Sequence, residues 1–337
     1  MSGDNPKLKM GTSSRDDTDR RRRFWVRYGI LLVIVAVWAS GQATLLRLKA
    51  TWYRQELAKV FIYTSQDQVY AEPILKEFEQ QTGIDVRAAY DSESVKTVGL
   101  VNRLIMEKDR PQSDLFWNNE ELRTRQLAAL GVFEKWTAAG YRSRRLAVNT
   151  NKVSLASAPH SLTELTNETW RGKVALAYPL FGTTATHFLA LRQFWGEERW
   201  RNWCRALAAN KPFLVDGNSV SAKLVARGEA WVGLTDSDDI AAEQREGGSI
   251  VPLPLTEESL LIPNTIAVVH GAHHQQAAEK LFVYLQQPAV LEKLVAAHAL
   301  EGVSPSTGPQ ATLKPDWDGL LTDLQAGTTA LKEIFLR

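Results

Sequence analysis

Cysteine is all but missing from this chain: Cys204 is the only one among 337 residues. No internal disulfide can form, so the fold is held by packing. An excess of one charge is missing too. Residues 1–43 carry 8 Lys and Arg against 4 Asp and Glu, which leaves 32 against 34 in the remainder. A body without a basic stripe cannot neutralise a run of phosphates, and nucleic acid is set aside as a partner. Absent as well are a GxSxG elbow, an HExxH pair and a GxxxxGK[ST] loop, which removes the common hydrolase, zinc-peptidase and nucleotide-binding signatures. Glu120, Glu121, Asp238 and Asp239 are left as carboxylates for a hydrolase, but nothing fixes their separation. Disorder over the bulk of the chain is excluded by 44% hydrophobic residues, and the length suits two domains.

What is present begins with a run of arginines. Arg20 to Arg23 and Arg27 precede a charge-free stretch from Tyr28 to Leu46, most apolar from Ile30 to Ala39. The 19-residue stretch is long enough to span a bilayer, and its 10-residue heart is the size of a signal-peptide core. Positive charge before it puts residues 1–27 in the cytoplasm and the body outside. Small residues around Gly41 and Ala43 offer a cleavage site, so the segment is either an anchor or a signal. With no Cys beside it, a lipid-modified anchor is excluded. Arg21-Arg22-x-Phe24 resembles a twin-arginine export signal, and general secretion is the alternative.

The body reads as strands alternating with helices. Strands are expected at 59–63, 84–90, 114–117, 172–178, 230–234 and 264–269. Helices are expected at 72–81, around 98–105, and at 121–130, 184–195, 197–209, 219–227 and 237–245, with a helical C-terminal third. Such alternation implies a parallel sheet covered by helices. In open α/β sheets, ligands meet the loops at the carboxyl ends of strands. Those loops are Thr64 to Asp67, Asp91 to Ser94, Asn118 to Glu120, Phe181 to Thr184, Asp216 to Ser219 and Thr235 to Asp239. Ser, Thr, Asp and Asn there serve as helix caps, but six polar loops on one rim also make a site. Helix N-termini bind anions and clustered carboxylates bind cations. His270, His273 and His274 read as a solvent-exposed group, and Trp195, Trp200 and Trp203 as the packing of a helix pair.

The order YTSQD, FEQQTGIDV, SDLFWNNEELRTRQLAALGVF, AVNTNKV, WRGKVALAYPLFGTTATHFLAL, ARGEAWVGLTDSDD and IPNTIAVVHGA resembles the periplasmic ferric-ion-binding proteins. These are extracytoplasmic solute receptors of ABC importers. The resemblance covers roughly residues 57–310. It implies a type II two-lobed clamp, with lobe one at 57–148 plus 263–337 and lobe two at 149–262, closing by hinge motion on a solute and presenting it to a permease. Such a receptor is a monomer without enzymatic activity, in the periplasm or at the outer face of the inner membrane.

Transferred residue by residue, the family's iron ligands fall at or beside Asp67 for its His, at Asn119 or Glu120 for its Glu, and at Asp238 and Asp239 for its Tyr pair. Fe(III) accepts carboxylate oxygens, so Asp67, Glu120, Asp238 and Asp239 form an all-carboxylate set, although both phenolates are lost. The wider solute set is Ser65, Asp67, Ser92, Asn119, Glu120, Thr183, Thr184, Asn218, Asp236, Asp238 and Asp239. Related receptors take thiamine, polyamines, phosphonates and sugar phosphates. An aminoalkylphosphonate would place its cationic end on the carboxylates and its anionic end on Ser92, Thr183, Thr184 and Asn218. A membrane-tethered ligand sensor is a further alternative.

Overall fold

The computed structural model describes residues 14–91, 98–253, 257–304 and 313–336. Its residues divide into two units, Met1–Leu57 and Ala58–Arg337. The first unit holds one 44-residue helix, α1 (Ser14–Leu57). Its stretch Arg20–Arg47 is long and apolar enough to cross a membrane, a property signal sequences share. Phe24, Trp25, Leu31, Leu32 and Trp38 on it are exposed.

The second unit is built on a nine-stranded sheet. Its strands are β1 (Lys59–Thr64), β2 (Asp85–Tyr90), β3 (Leu115–Asn118), β4 (Phe133–Asn149), β5 (Val174–Ala177), β6 (Phe213–Val215), β7 (Val232–Asp236), β8 (Ile250–Leu253) and β9 (Leu261–Val269). They run in the order β2-β1-β3-β9-β4-β7-β5-β6, with β8 on β4. The wings are parallel, as the alternation predicts: β2 and β3 flank β1, and β6 and β7 flank β5. The centre corrects that expectation, because every pairing of β4, and that of β9 with β3, is antiparallel. The sequence reading lacked β6 and β8, and of β4 it held only the lobe crossing that the resemblance implies at about 147–153. β4 joins the two wings, pairing with β9 as far as Ser143 and with β7 from Arg144 to Val148. A register shift lies between Ala138 and Tyr141. There Gly140 takes φ +78°, and a Cβ would lie 2.4 Å from Leu300 Cδ1.

Helices cover the sheet. They are α2 (Gln68–Thr82), α3 (Val98–Met106), α4 (Glu121–Ala129), α5 (Gly182–Trp195), α6 (Glu197–Ala209), α7 (Asn218–Ala226), α8 (Ser237–Arg245), α9 (Gln275–Leu285), α10 (Pro288–Ala296) and α11 (Trp317–Phe335). α2 starts four residues earlier than expected, so Pro73 lies inside the helix rather than at its start. Under β1 and β3, Phe78 of α2 and Leu281 and Tyr284 of α9 form one core. A second gathers Phe188, Trp200, Trp203 and Leu207 with Leu324 and Phe335 of α11. Trp195 and Trp203 meet edge-on at 5.1 Å, the helix-pair packing expected of them. Thus α11, which the resemblance assigns to lobe one, also packs on α5 and α6. Buried Cys204 lies in that core, and burial pushes its thiol pKa up.

Candidate functional site

Three strands of the second wing end on one cavity. β5 delivers Ala177 and Tyr178 and then the start of α5, with Gly182, Thr183 and Thr184; β6 delivers Asp216, Gly217 and Asn218 at the start of α7; β7 delivers Asp236 at the start of α8. Asn119 closes the cavity from the end of β3, and Arg142 from β4. The space that the centre of a water-sized sphere can reach in the cavity is about 30 Å³. It lies at the carboxyl ends of parallel strands because each strand there turns directly into a helix.

The helix starts differ. α5 follows Phe181 and α7 follows Gly217, and no side chain caps either one. Both helix starts border the cavity through Thr183, Thr184 and Asn218, and the helix dipoles point their positive ends at it. α4 is closed by its own cap, since Glu120 accepts from Leu122 N at 2.8 Å and from Arg123 N at 3.0 Å.

Arg142 and Arg144 lie two residues apart on β4, on one face of the strand. Both are buried. Arg144 donates through Nη1 to Asp236 Oδ1 at 2.6 Å and to Asn218 Oδ1 at 3.1 Å. The other Asp236 oxygen accepts from Thr183 Oγ1 at 2.7 Å and Asn218 Nδ2 at 3.2 Å. Burial raises the pKa of Asp236, but Arg144 and Arg142 outweigh that and hold the carboxyl below its ordinary range. Arg142 donates through Nη1 to Asp238 Oδ2 at 2.5 Å and through Nη2 to Asn119 O at 3.0 Å. Burial pushes Asp238 up to about 6 against the pull of Arg142, with Asp236 and Asp67 adding to the rise. Burial works against a charged Arg142 as well, and Asp238 and Asp236 keep it protonated. Behind the cluster, burial and the Arg144 charge depress His187 to about 3. Its neutral ring donates from Nε2 to Glu258 O at 2.8 Å, since a carbonyl can only accept.

Among the expected site residues, Asn119, Thr183, Thr184, Asn218, Asp236 and Asp239 line the cavity. Asp238 borders it through Arg142. Thr184 Oγ1 donates to Asn218 Oδ1 at 3.0 Å, and Asp239 Oδ2 accepts from Thr235 Oγ1 at 2.9 Å. Ser65 is one layer back, donating to Asn118 Oδ1 at 2.6 Å and Asn119 Oδ1 at 3.0 Å. Asp67 is half-buried at the start of α2. Glu120 is fully buried, accepts from Thr186 Oγ1 at 3.1 Å as well as from its helix, and has its pKa raised by burial. Ser92 lies outside the described residues.

Of the four carboxylates proposed for Fe(III), Asp238 and Asp239 come together, joined by Asp236 rather than by Asp67 or Glu120. Arg142 and Arg144 were missed, because the polar run Arg142-Ser143-Arg144-Arg145 gives no sign that its residues are buried. His274, expected to be exposed, is mostly covered and hydrogen-bonds to Asp114, with N to Oδ1 and Nδ1 to Oδ2 both at 2.9 Å.

The sequence profile of the bacterial extracellular solute-binding protein family matches residues 58–298. The major ferric iron-binding protein of Neisseria meningitidis serogroup A / serotype 4A is 23% identical over 288 residues, covering 77% of this chain and 85% of that protein. Iron-bound HitA from Pseudomonas aeruginosa superposes with a TM-score of 0.71 at 20% identity, over 82% of this chain and 99% of that one. The periplasmic binding protein AfuA from Actinobacillus pleuropneumoniae, with exogenous fructose-6-phosphate bound, gives a TM-score of 0.71 at 20% identity over 82% and 98%. At such identity the structural likeness is one of fold: an α/β periplasmic-binding-protein architecture.

Proposed function

The chain belongs to the bacterial extracellular solute-binding protein family, and from that premise we propose that it is the receptor of an ABC importer for a small solute with an anionic end. Membership places it among proteins that bind and release rather than among hydrolases. The lobes are 57–148 with 263–337 and 149–262, α11 reaching across to α5 and α6, and closure on the solute is what a permease reads. α1 carries the protein to or holds it at the outer face of the membrane.

The observation that carries the anionic end is the pair of uncapped helix starts, α5 and α7, opening on one cavity beside Arg142. A phosphate, phosphonate or sulfonate group would accept from first-turn amides and from the guanidinium together. The carboxylates support this by what already occupies them. Asp236 spends both oxygens on Arg144, Thr183 and Asn218, and Asp238 spends one on Arg142. A bare trivalent cation would have to enter between two guanidinium groups. A second reading, ferric iron arriving with a bound oxyanion, is favoured by the relative named a major ferric iron-binding protein.

The test is a thermal-shift screen of the detergent-solubilised, metal-stripped chain against inorganic phosphate, 2-aminoethylphosphonate, fructose-6-phosphate, thiamine, spermidine, ferric citrate and ferric nitrilotriacetate. A phosphoryl or phosphonyl compound at 100 times its Kd adds about 2.7 kcal/mol of stability. A response to both ferric complexes alone, with none to the anions, would give the site to iron.

A further inference from the structure

Asp236, Asp238 and Asp239 each bring a carboxylate oxygen within 4.8 Å of the other two. That is the spacing of a cation cage, and a guanidinium lies in it. Arg142 bonds Asp238, and its Nη2 stands 3.6 Å from Asp236 Oδ2. We infer that Arg142 is the specificity-determining residue of this cavity, a built-in counter-cation that closes the carboxylate cluster to metal ions and gives the cavity its preference for anions. The inference deepens the anion reading and rests on it for the second half of that statement.

Two buried atoms support it beyond the spacing of the carboxylates. Arg142 Nε and Asp238 Oδ1 have no hydrogen-bond partner among the described residues, although both side chains are more than nine-tenths buried. Buried polar groups left unsatisfied are costly. A solute oxygen accepting from Nε would satisfy the first. The second is the lone pair that a metal ion would seek, and the positive charge beside it opposes that approach. Like charges a few Å apart among buried side chains repel strongly, while two of the three carboxylates have already given oxygens to Arg142 and Arg144. Arg142 also ties the wings together, since its two nitrogens reach Asn119 after β3 and Asp238 on α8.

The experiment compares the full chain in detergent with Arg142→Gln, Arg142→Lys and Arg142→Gln/Asp238→Asn. Tb³⁺ luminescence reads hard trivalent cations, and calorimetry with methylphosphonate, in separate samples, reads anions. The native chain is expected to take methylphosphonate and to be silent to Tb³⁺. Arg142→Gln should gain Tb³⁺ affinity on the order of 100-fold and lose methylphosphonate. Adding Asp238→Asn should abolish the gain, which locates the ion at the cluster, and Arg142→Lys should stay silent to Tb³⁺ because the charge remains.

Native Tb³⁺ affinity equal to that of Arg142→Gln would overturn the counter-cation role. A native chain that binds no anion, together with a Tb³⁺ gain in Arg142→Gln, would instead remove the anion reading and leave the exclusion of metal standing. If Arg142→Gln does not fold, the double variant, which removes both partners of the buried pair, carries the test. Undiminished methylphosphonate binding there would sink the role.

Discussion

The start of α4 and the starts of α5 and α7 lie close together and have the same need, a partner for backbone N–H groups that have none within the helix. α4 meets it from within: Glu120 folds back on the N–H groups of Leu122 and Arg123. α5 and α7 begin after Phe181 and Gly217, which supply no such group. The difference is that α4 is closed by a side chain of its own, whereas the same position is left to Phe181 and Gly217 in the two helices that start on the cavity. α8 is intermediate, because Asp236 and Asp239 cap its start reciprocally while Asp236 is also claimed by Arg144 and by the side chains of the α5 and α7 starts.

The comparison breaks most severely at that intermediate case. Asp236→Ala leaves the fully buried Arg144 without its carboxylate and is expected to cost about 3–5 kcal/mol in chemical denaturation. A loss under about 1 kcal/mol would show that Arg144 does not depend on it. Giving α7 the cap that α4 has is the next step. Gly217 has φ −154°, extended backbone open to any residue, so Gly217→Asp should leave the melting temperature unchanged or higher while anion affinity falls by about tenfold or more, since the new carboxylate takes the amides and repels the ligand. The converse change, Glu120→Ala, should cost about 1–2 kcal/mol of stability with solute affinity preserved; a parallel loss of affinity would put Glu120 in the site after all. The smallest effect concerns pH. Asp238, at about 6, is ionised at pH 7.5 and largely neutral at pH 5.5. Methylsulfonate, a permanent anion, should therefore bind about threefold to tenfold more tightly at the lower pH, and Asp238→Asn should flatten the profile.

Much of this was readable beforehand, and the gaps have physical causes. Loops after strands announced themselves through residues such as Thr183, Asn218 and Asp236, because a helix start selects for small polar side chains whether or not a ligand is present. Glu120, a ligand candidate in the sequence, caps α4. The Trp195–Trp203 packing followed from helical spacing alone. Of β4 only the end at 147–149 was placed, through the resemblance, since a strand at the meeting of two wings is covered on both faces and its alternation vanishes into the polar run Arg142-Ser143-Arg144-Arg145. Buried arginines are legible only once their carboxylates are in place, and Asp236 and Asp238 come from more than ninety residues away. α2 was started late because Pro73 invites placement in a first turn, whereas its chain turns helical at Gln68.

β4 has one more consequence. A strand common to both wings serves as their axle, and points on an axle travel little when the parts around it turn. Arg142 and Arg144, fixed on β4 where its partner changes from β9 to β7, would keep their place under the closure proposed above. The polarity of the cleft would then be the same open as shut. On that proposal a visiting ion would be sorted by sign on arrival, through its rate of capture, before any closing motion begins.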